Sequence, residues 1–117
     1  MKTYAIAGTA LLCLGLNSHA TARTLSPQEC SEGGDFIRNA ALARDNGMDG
    51  TTFVTKLLAD LVTIRSFPPS IRWFVQDQQD EDLLVKATVA VFENPLDPEA
   101  HRRGFLGNCI AMTTLVQ

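Results

Sequence analysis

Four carboxylates fall within six residues of this sequence, and this acidic run could hold a divalent cation or supply an acid–base pair. The run consists of Asp77, Asp80, Glu81 and Asp82. Oxygen-rich clusters do bind calcium. Carboxylates also collect in the first turn of a helix, where the helix dipole favours them. We expect the second role, a solvent-exposed helix start, and predict no bound metal or other cofactor.

His101 is the only histidine after the first 22 residues, so it is the one candidate for an imidazole base. A zinc site usually needs several His, Cys or carboxylate ligands. His101 falls early in a predicted helix, where we expect it to face solvent. The sequence also contains no glycine-rich phosphate loop and no nucleophile elbow. We therefore predict a protein that is not an enzyme; a cleft joining His101 to the acidic run would favour the opposite.

The segment 66–76, SFPPSIRWFVQ, contains the only Trp, two of the six Phe and two of the five Pro residues. If a helical turn continues through the prolines, apolar residues spaced by four and then three share one face. We predict that this face is buried in the core and that it consists of Phe67, Ile71 and Phe74.

The same segment supplies the candidate binding residues, which are Arg72, Trp73 and Asp77. Trp and Arg are enriched at interface hot spots, although a lone Trp in a small domain also serves as core. We predict that Trp73 is partly exposed and that Arg72 lies near Asp77 or Glu81. Arg72 and Trp73 would then form a rim that contacts a partner.

Residues 1–22 have the three regions of a secretory signal peptide. Lys2 is followed by an apolar run over residues 4–16 and by Ala20-Thr21-Ala22. The run is short for a membrane span, which takes about 20 residues, so a retained anchor is the weaker alternative. We predict cleavage between Ala20 and Arg23, which leaves a single domain over residues 23–117 in the periplasm or outside the cell.

Without the leader, nine of the ten basic residues remain against 13 acidic ones, for a formal charge of −4. The sequence contains no basic stripe of the kind that binds nucleic acid, and the negative charge disfavours binding to anionic membranes. The two remaining cysteines, Cys30 and Cys109, are predicted to form a disulfide because paired cysteines in a short exported chain usually do. Two free thiols are the alternative.

Capping residues and helix breakers divide the domain into four helices, an all-α bundle closed by one disulfide. The predicted N-caps are Ser26, Asp49, the acidic run that begins at Asp77, and Asp97. The run 83–92 could also form a strand, but its acidic start favours a helix. Gly33-Gly34 indicates either close approach of another helix or a frayed first turn before Asp35. Expected buried positions include Leu57, Leu58 and Leu61 in the second helix and Phe105, Leu106, Cys109 and Ile110 in the last.

The runs RSFPPSIRWFVQDQQDEDLL, AALARDNG and HRRGFLGNC resemble those of a group of small exported bacterial helical proteins with two mature cysteines. The resemblance covers most of the mature chain. It implies export and a compact helical domain, and it assigns no catalytic residue.

Together these features predict an exported, non-enzymatic protein that binds an unknown partner protein, as an inhibitor, an immunity-type protein or a small chaperone would. The second hypothesis is a carrier of a small apolar ligand or lipid, which would show a cavity between the second and third helices. A small enzyme is the third.

Overall fold

The computed structural model describes residues 25–115, which form four α-helices and contain no strand. The helices are α1 (Pro27–Asp45), α2 (Gly50–Arg65), α3 (Gln78–Glu93) and α4 (Pro98–Leu115), with a short 3-10 turn at Pro69–Ile71. The all-α prediction is confirmed, including the helix over 83–92. The predicted leader and its cleavage site lie outside the described residues. Among residues 25–115, no helix has the length and apolarity needed to cross a membrane.

Each helix begins at a predicted capping residue whose side chain accepts a hydrogen bond from a backbone N–H in the first turn. Ser26 and Glu29 form a reciprocal capping box, with distances of 2.9 and 3.1 Å. The other three caps are Asp49 to Thr52 N (2.8 Å), Asp77 to Asp80 N (2.9 Å) and Asp97 to Ala100 N (2.7 Å). These bonds satisfy N–H groups that have no partner within the helix.

The helices pack in the order α4, α1, α3 and α2, so that α1 contacts both α4 and α3, and α2 rests mainly on α3. The disulfide joins α1 to α4, as predicted: Cys30 and Cys109 are bonded, their Cα atoms are 5.6 Å apart, and both residues are fully buried. The largest buried apolar side chains between these helices are Ile37, Leu61, Phe74 and Leu84.

Two helix positions expected in the core are instead exposed. Leu58 is 48% exposed, because α2 packs mainly against α3 and buries only the narrow stripe of Leu57 and Leu61. Ile110 is 41% exposed, one position beyond the buried Cys109. One residue corresponds to a rotation of about 100° around a helix, which carries each side chain off the buried stripe.

Gly33 confirms the close-approach interpretation of the glycine pair. It is buried inside α1, which begins well before Asp35, so the first turn is not frayed. A Cβ atom at Gly33 would lie 2.5 Å from Cε1 and 2.7 Å from Cζ of Phe105. The absence of a side chain therefore lets the ring of Phe105 in α4 contact the backbone of α1.

We expect Gly33→Ala to destabilise the protein and Gly34→Ala to have little effect. Overpacking a core costs about 1–3 kcal/mol, which exceeds the gain of up to about 1 kcal/mol in helix propensity. Phe105 cannot withdraw cheaply because it is buried against Phe74. At Gly34 a Cβ would meet Cγ of the flexible Arg102 side chain at 3.3 Å.

Chemical denaturation of both variants measures this difference directly, with Gly34→Ala as the matched control in the same helical turn. Equal stability of the two variants would contradict the close packing of Phe105 on Gly33.

Candidate functional site

The loop between α2 and α3, Phe67–Gln76, is held by the side chain of one arginine; we call it the proline corner. Arg72 donates hydrogen bonds to three backbone carbonyl oxygens: Arg65 O at 2.8 Å, Phe67 O at 2.8 Å and Gln76 O at 3.1 Å. The first of these carbonyls belongs to the last residue of α2, where a cation is favoured by the helix dipole. Arg72 thus caps α2 and ties both ends of the corner together.

A second side chain fixes the middle of the corner. The amide of Gln76 donates from Nε2 to Trp73 O (2.9 Å) and to Pro69 O (3.2 Å). Two consecutive prolines, Pro68 and Pro69, further restrict the backbone. The corner is therefore preorganised, although it contains only one short 3-10 turn.

The apolar side chains of the corner divide differently from the prediction. Phe74 is 1% exposed and belongs to the core, as expected, but Phe67 is 40% and Ile71 66% exposed. The helical spacing fails because Pro68 has extended backbone angles (φ −57°, ψ 144°), so no helix runs from Phe67 to Ile71. Phe67 and Ile71 lie at the surface, beside the equally exposed Pro68 and Pro69.

Trp73 is partly buried, as predicted, and packs against two other aromatic rings. Its ring lies 4.5 Å from the ring of Phe74 and 5.3 Å from that of Phe36 in α1, measured between centroids. Aromatic pairs at these distances are favourable beyond the area that they bury.

The carboxylates near the corner serve the fold. Asp77 caps α3, and the buried Asp80 accepts a hydrogen bond from Gln76 N at 2.9 Å. The buried carboxylate of Glu81 pairs with Arg65 through two hydrogen bonds, at 2.8 and 2.5 Å. These bonds raise the pKa of the Arg65 guanidinium above its ordinary value.

One expectation about this acidic run was wrong. Asp80 and Glu81 are 4% and 6% exposed, so this part of the run is not a solvated helix start. The cation paired with Glu81 is Arg65, whereas Arg72 bonds to backbone carbonyls, including that of Gln76, the residue before Asp77. The binding roles of Arg72, Trp73 and Asp77 remain predictions, but all three side chains already have contacts within the fold.

His101 is buried and does not face solvent, contrary to the prediction. Its Nε2 lies 2.9 Å from Asn94 O and 3.4 Å from Nη1 of Arg44, within hydrogen-bond distance of both. Arg44 lies beside it and donates to the carbonyls of Val91, Asn94 and Leu96 at 2.8, 2.9 and 2.6 Å. Arg44 therefore caps α3 as Arg72 caps α2. His101 packs at the carboxyl end of α3, whereas the acidic run is at its amino end.

Two open depressions flank α3. One, of about 370 Å³, lies between α3 and α4 and has Ile37 of α1 among its lining residues; we call it the α3–α4 groove. The other, of about 380 Å³, lies between α2 and α3 and is lined by Gly50, Thr51, Val54, Thr55, Val89, Phe92 and Glu93. His101 lines the first, but none of the acidic-run residues does.

Comparison of the chain with protein-family models, with curated proteins and with solved structures finds no match. A function for this protein therefore has to be argued from its own surfaces.

Proposed function

We propose that this is an exported protein that binds a partner protein through the exposed apolar residues of the proline corner. Phe67 and Ile71 would be the anchors, and Pro68 and Pro69 lie between them in the chain. The observation that carries the proposal is the combination of their exposure with the three hydrogen bonds by which Arg72 holds the loop backbone.

Exposed apolar residues are common on protein surfaces, so their exposure alone would mean little. Here, however, the backbone beneath them is fixed by Arg72 and Gln76. A loop that is already ordered loses little conformational entropy when it binds, which leaves more of the contact energy for affinity. Apolar anchors that fill a pocket on the partner are the usual hot spots of an interface.

This rigidity also favours one kind of partner protein over another. Binders with many targets use flexible surfaces that can repack, whereas inhibitor-type complexes form with little change of backbone. An inhibitor-like or immunity-type protein with one partner fits the proline corner better than a chaperone does.

Export is part of the proposal. The sequence of residues 1–22 supports it, and the buried disulfide is consistent with an oxidising compartment, the periplasm or the extracellular space. The acidic chain and the lack of a basic stripe give no support to nucleic acid as the partner.

A carrier of a small apolar ligand is the second candidate. The depression between α2 and α3 lies where that hypothesis expected a cavity. Its volume falls within the range of about 300–1,000 Å³ for ligand pockets, but such pockets bury most of their ligand. The open α2–α3 depression would bury a much smaller fraction of the surface of a ligand.

Site-specific photo-crosslinking in the exporting cell tests the protein-binding proposal. We expect a photoreactive amino acid at position 71 to cross-link to one partner protein, because Ile71 is the most exposed large apolar residue of the corner. Gel analysis and mass spectrometry of the adduct would identify the partner.

Position 48 provides the matched control. Met48 is 42% exposed and precedes α2, whereas the corner follows it. The 16 residues of α2 span about 24 Å, so a partner seated on the corner should not reach the label at position 48. Cross-linking of the same protein with equal yield from both positions, or from neither, would contradict the proposal.

A further inference from the structure

The α3–α4 groove exists because both helices pack around α1 and carry small residues on the sides that line it. Ala87 and Ala90 of α3 and Ala100 and Gly104 of α4 line the groove. A Cβ atom added at Gly104 would meet no atom within 4 Å. The missing side-chain volume leaves an open channel of about 370 Å³ with Ile37 and Phe105 among its lining residues.

The groove is elongated along α3. The residues of α3 and its C-cap that line it extend from Leu83 to Asn94, which corresponds to about 16 Å at 1.5 Å per residue. A linear apolar molecule that lies along the two helices fits this shape better than a round one.

The charge of the groove differs from that of the whole chain. The sequence has 13 acidic and 10 basic residues, yet no carboxylate is among the residues that line the groove. The one formal charge in the lining is the ammonium of Lys86, which is exposed. Within residues 25–115, Lys86 forms no ion pair and no side-chain hydrogen bond. At the carboxyl end of α3, His101 Nε2 already lies within hydrogen-bond distance of Asn94 O and of Arg44 Nη1.

We propose that the α3–α4 groove binds a linear aliphatic carboxylate, with the chain against the apolar lining and the carboxylate paired with Lys86. The apolar chain would contact the alanine and glycine surface, and the anion would pair with Lys86, which has no ion-pair partner among residues 25–115. The groove is separate from the proline corner, so a result that contradicts one of the two proposals does not contradict the other.

Dodecanoate is the probe, used as the monomer with the full oxidised mature protein, and dodecanol is the uncharged comparison. Binding is followed by NMR of the methyl groups of Ala87, Ala90 and Ala100. We expect these methyl signals to shift as dodecanoate is added, until the shifts reach a plateau. Dodecanoate should bind about tenfold more tightly than dodecanol, as a hydrogen bond to a charged group predicts.

Two variants locate the site. Lys86→Gln should reduce the affinity for dodecanoate about tenfold, to that of dodecanol. Gly104→Leu should fill the groove and abolish binding of both. Gly107→Leu is the matched control, because Gly107 is also an open position of α4 but does not line the groove. Both leucine variants should raise the melting temperature, since Leu is a better helix former than Gly, so loss of binding cannot be assigned to unfolding.

Several results would overturn the proposal. Binding of dodecanoate to Gly104→Leu with the affinity of Gly107→Leu would place the ligand elsewhere. Equal affinities for dodecanoate and dodecanol, unchanged by Lys86→Gln, would show adsorption without recognition of the anion. Binding to vesicles of anionic phospholipid, or of an amphipathic helical peptide, without binding of monomeric dodecanoate would show that the groove serves a membrane surface or a protein helix instead.

Discussion

Replacing Cys30 and Cys109 together by Ala is expected to lower the free energy of unfolding by about 4.5 kcal/mol. The disulfide closes a loop with a sequence separation of 79 residues, most of the described residues 25–115. In the chain-entropy account, the bond restricts the unfolded chain and so raises its free energy relative to the folded state. Small domains are stable by only about 5–15 kcal/mol, so this loss would remove a large share of the domain's stability.

Denaturant titration of the double variant measures the loss, and wild-type protein treated with a reductant is the control. Both should lose similar stability if the bond itself is responsible, because reduction leaves the cysteine side chains in place. Titration of thiols in the unfolded, unreduced wild type should read near zero. Two thiols per chain, or a loss of less than about 1 kcal/mol, would contradict the stabilising role assigned to the disulfide.

Replacing Phe74 by Ala is expected to cost about 3–5 kcal/mol, the range for removing a buried aromatic side chain. Phe74 is 1% exposed and its ring packs between those of Trp73 and Phe105, with centroid distances of 4.5 and 6.5 Å. The vacated volume would lie where the proline corner meets α1 and α4, and the rigid backbones there can collapse only partly around it. Trp73→Ala should cost clearly less, because Trp73 is only partly buried.

Phe67→Ala is the matched control for this series, since it removes the same aromatic ring from the same corner at a position 40% exposed. Its effect on stability should be within about 0.5 kcal/mol, as for most surface substitutions. Thermal melts of the three variants give the order of their stabilities. If Trp73→Ala melted below Phe74→Ala, Trp73 and not Phe74 would anchor the corner to the core.

The helices, their caps and the disulfide could be predicted from sequence because each is signalled by residues close together in the chain or by residue type. Ser26 with Glu29 is a local capping box, and a pair of cysteines that follows a predicted leader is a strong compositional signal. Gly33 also indicated a close helix contact correctly, although only the fold identified Phe105 as the neighbour.

The remaining features depend on contacts between distant residues. Arg44 meets carbonyls 47 to 52 positions away, which buries His101 beside it, and no local pattern signals that pairing. The error at Phe67 and Ile71 had a local cause: helical spacing was extended through prolines that keep the backbone extended. The α3–α4 groove depends on where α1 places its neighbours, so it has no signature in the sequence.

The proposed interface reverses the roles predicted for the proline corner. Arg72 and Trp73 were expected to contact the partner while Phe67 and Ile71 were buried. In the fold, Arg72 and Trp73 shape the loop, and Phe67 and Ile71 are the exposed pair. Arg and Trp, the residue types of an interface hot spot, can thus serve to hold a loop in place.

One binding measurement tests this account most directly. It compares the affinity of the cross-linked partner for the wild type with its affinity for the Phe67→Ser/Ile71→Ser double variant. Truncating two hot-spot anchors should weaken binding at least about 100-fold, since each contributes on the order of 2 kcal/mol. Its melting temperature should stay near that of the wild type, because both side chains are exposed. Met48→Ser should bind within about twofold of the wild type, as expected for a residue outside the interface. Wild-type affinity in the double variant, or an equal loss in Met48→Ser, would contradict the proline corner as the binding surface.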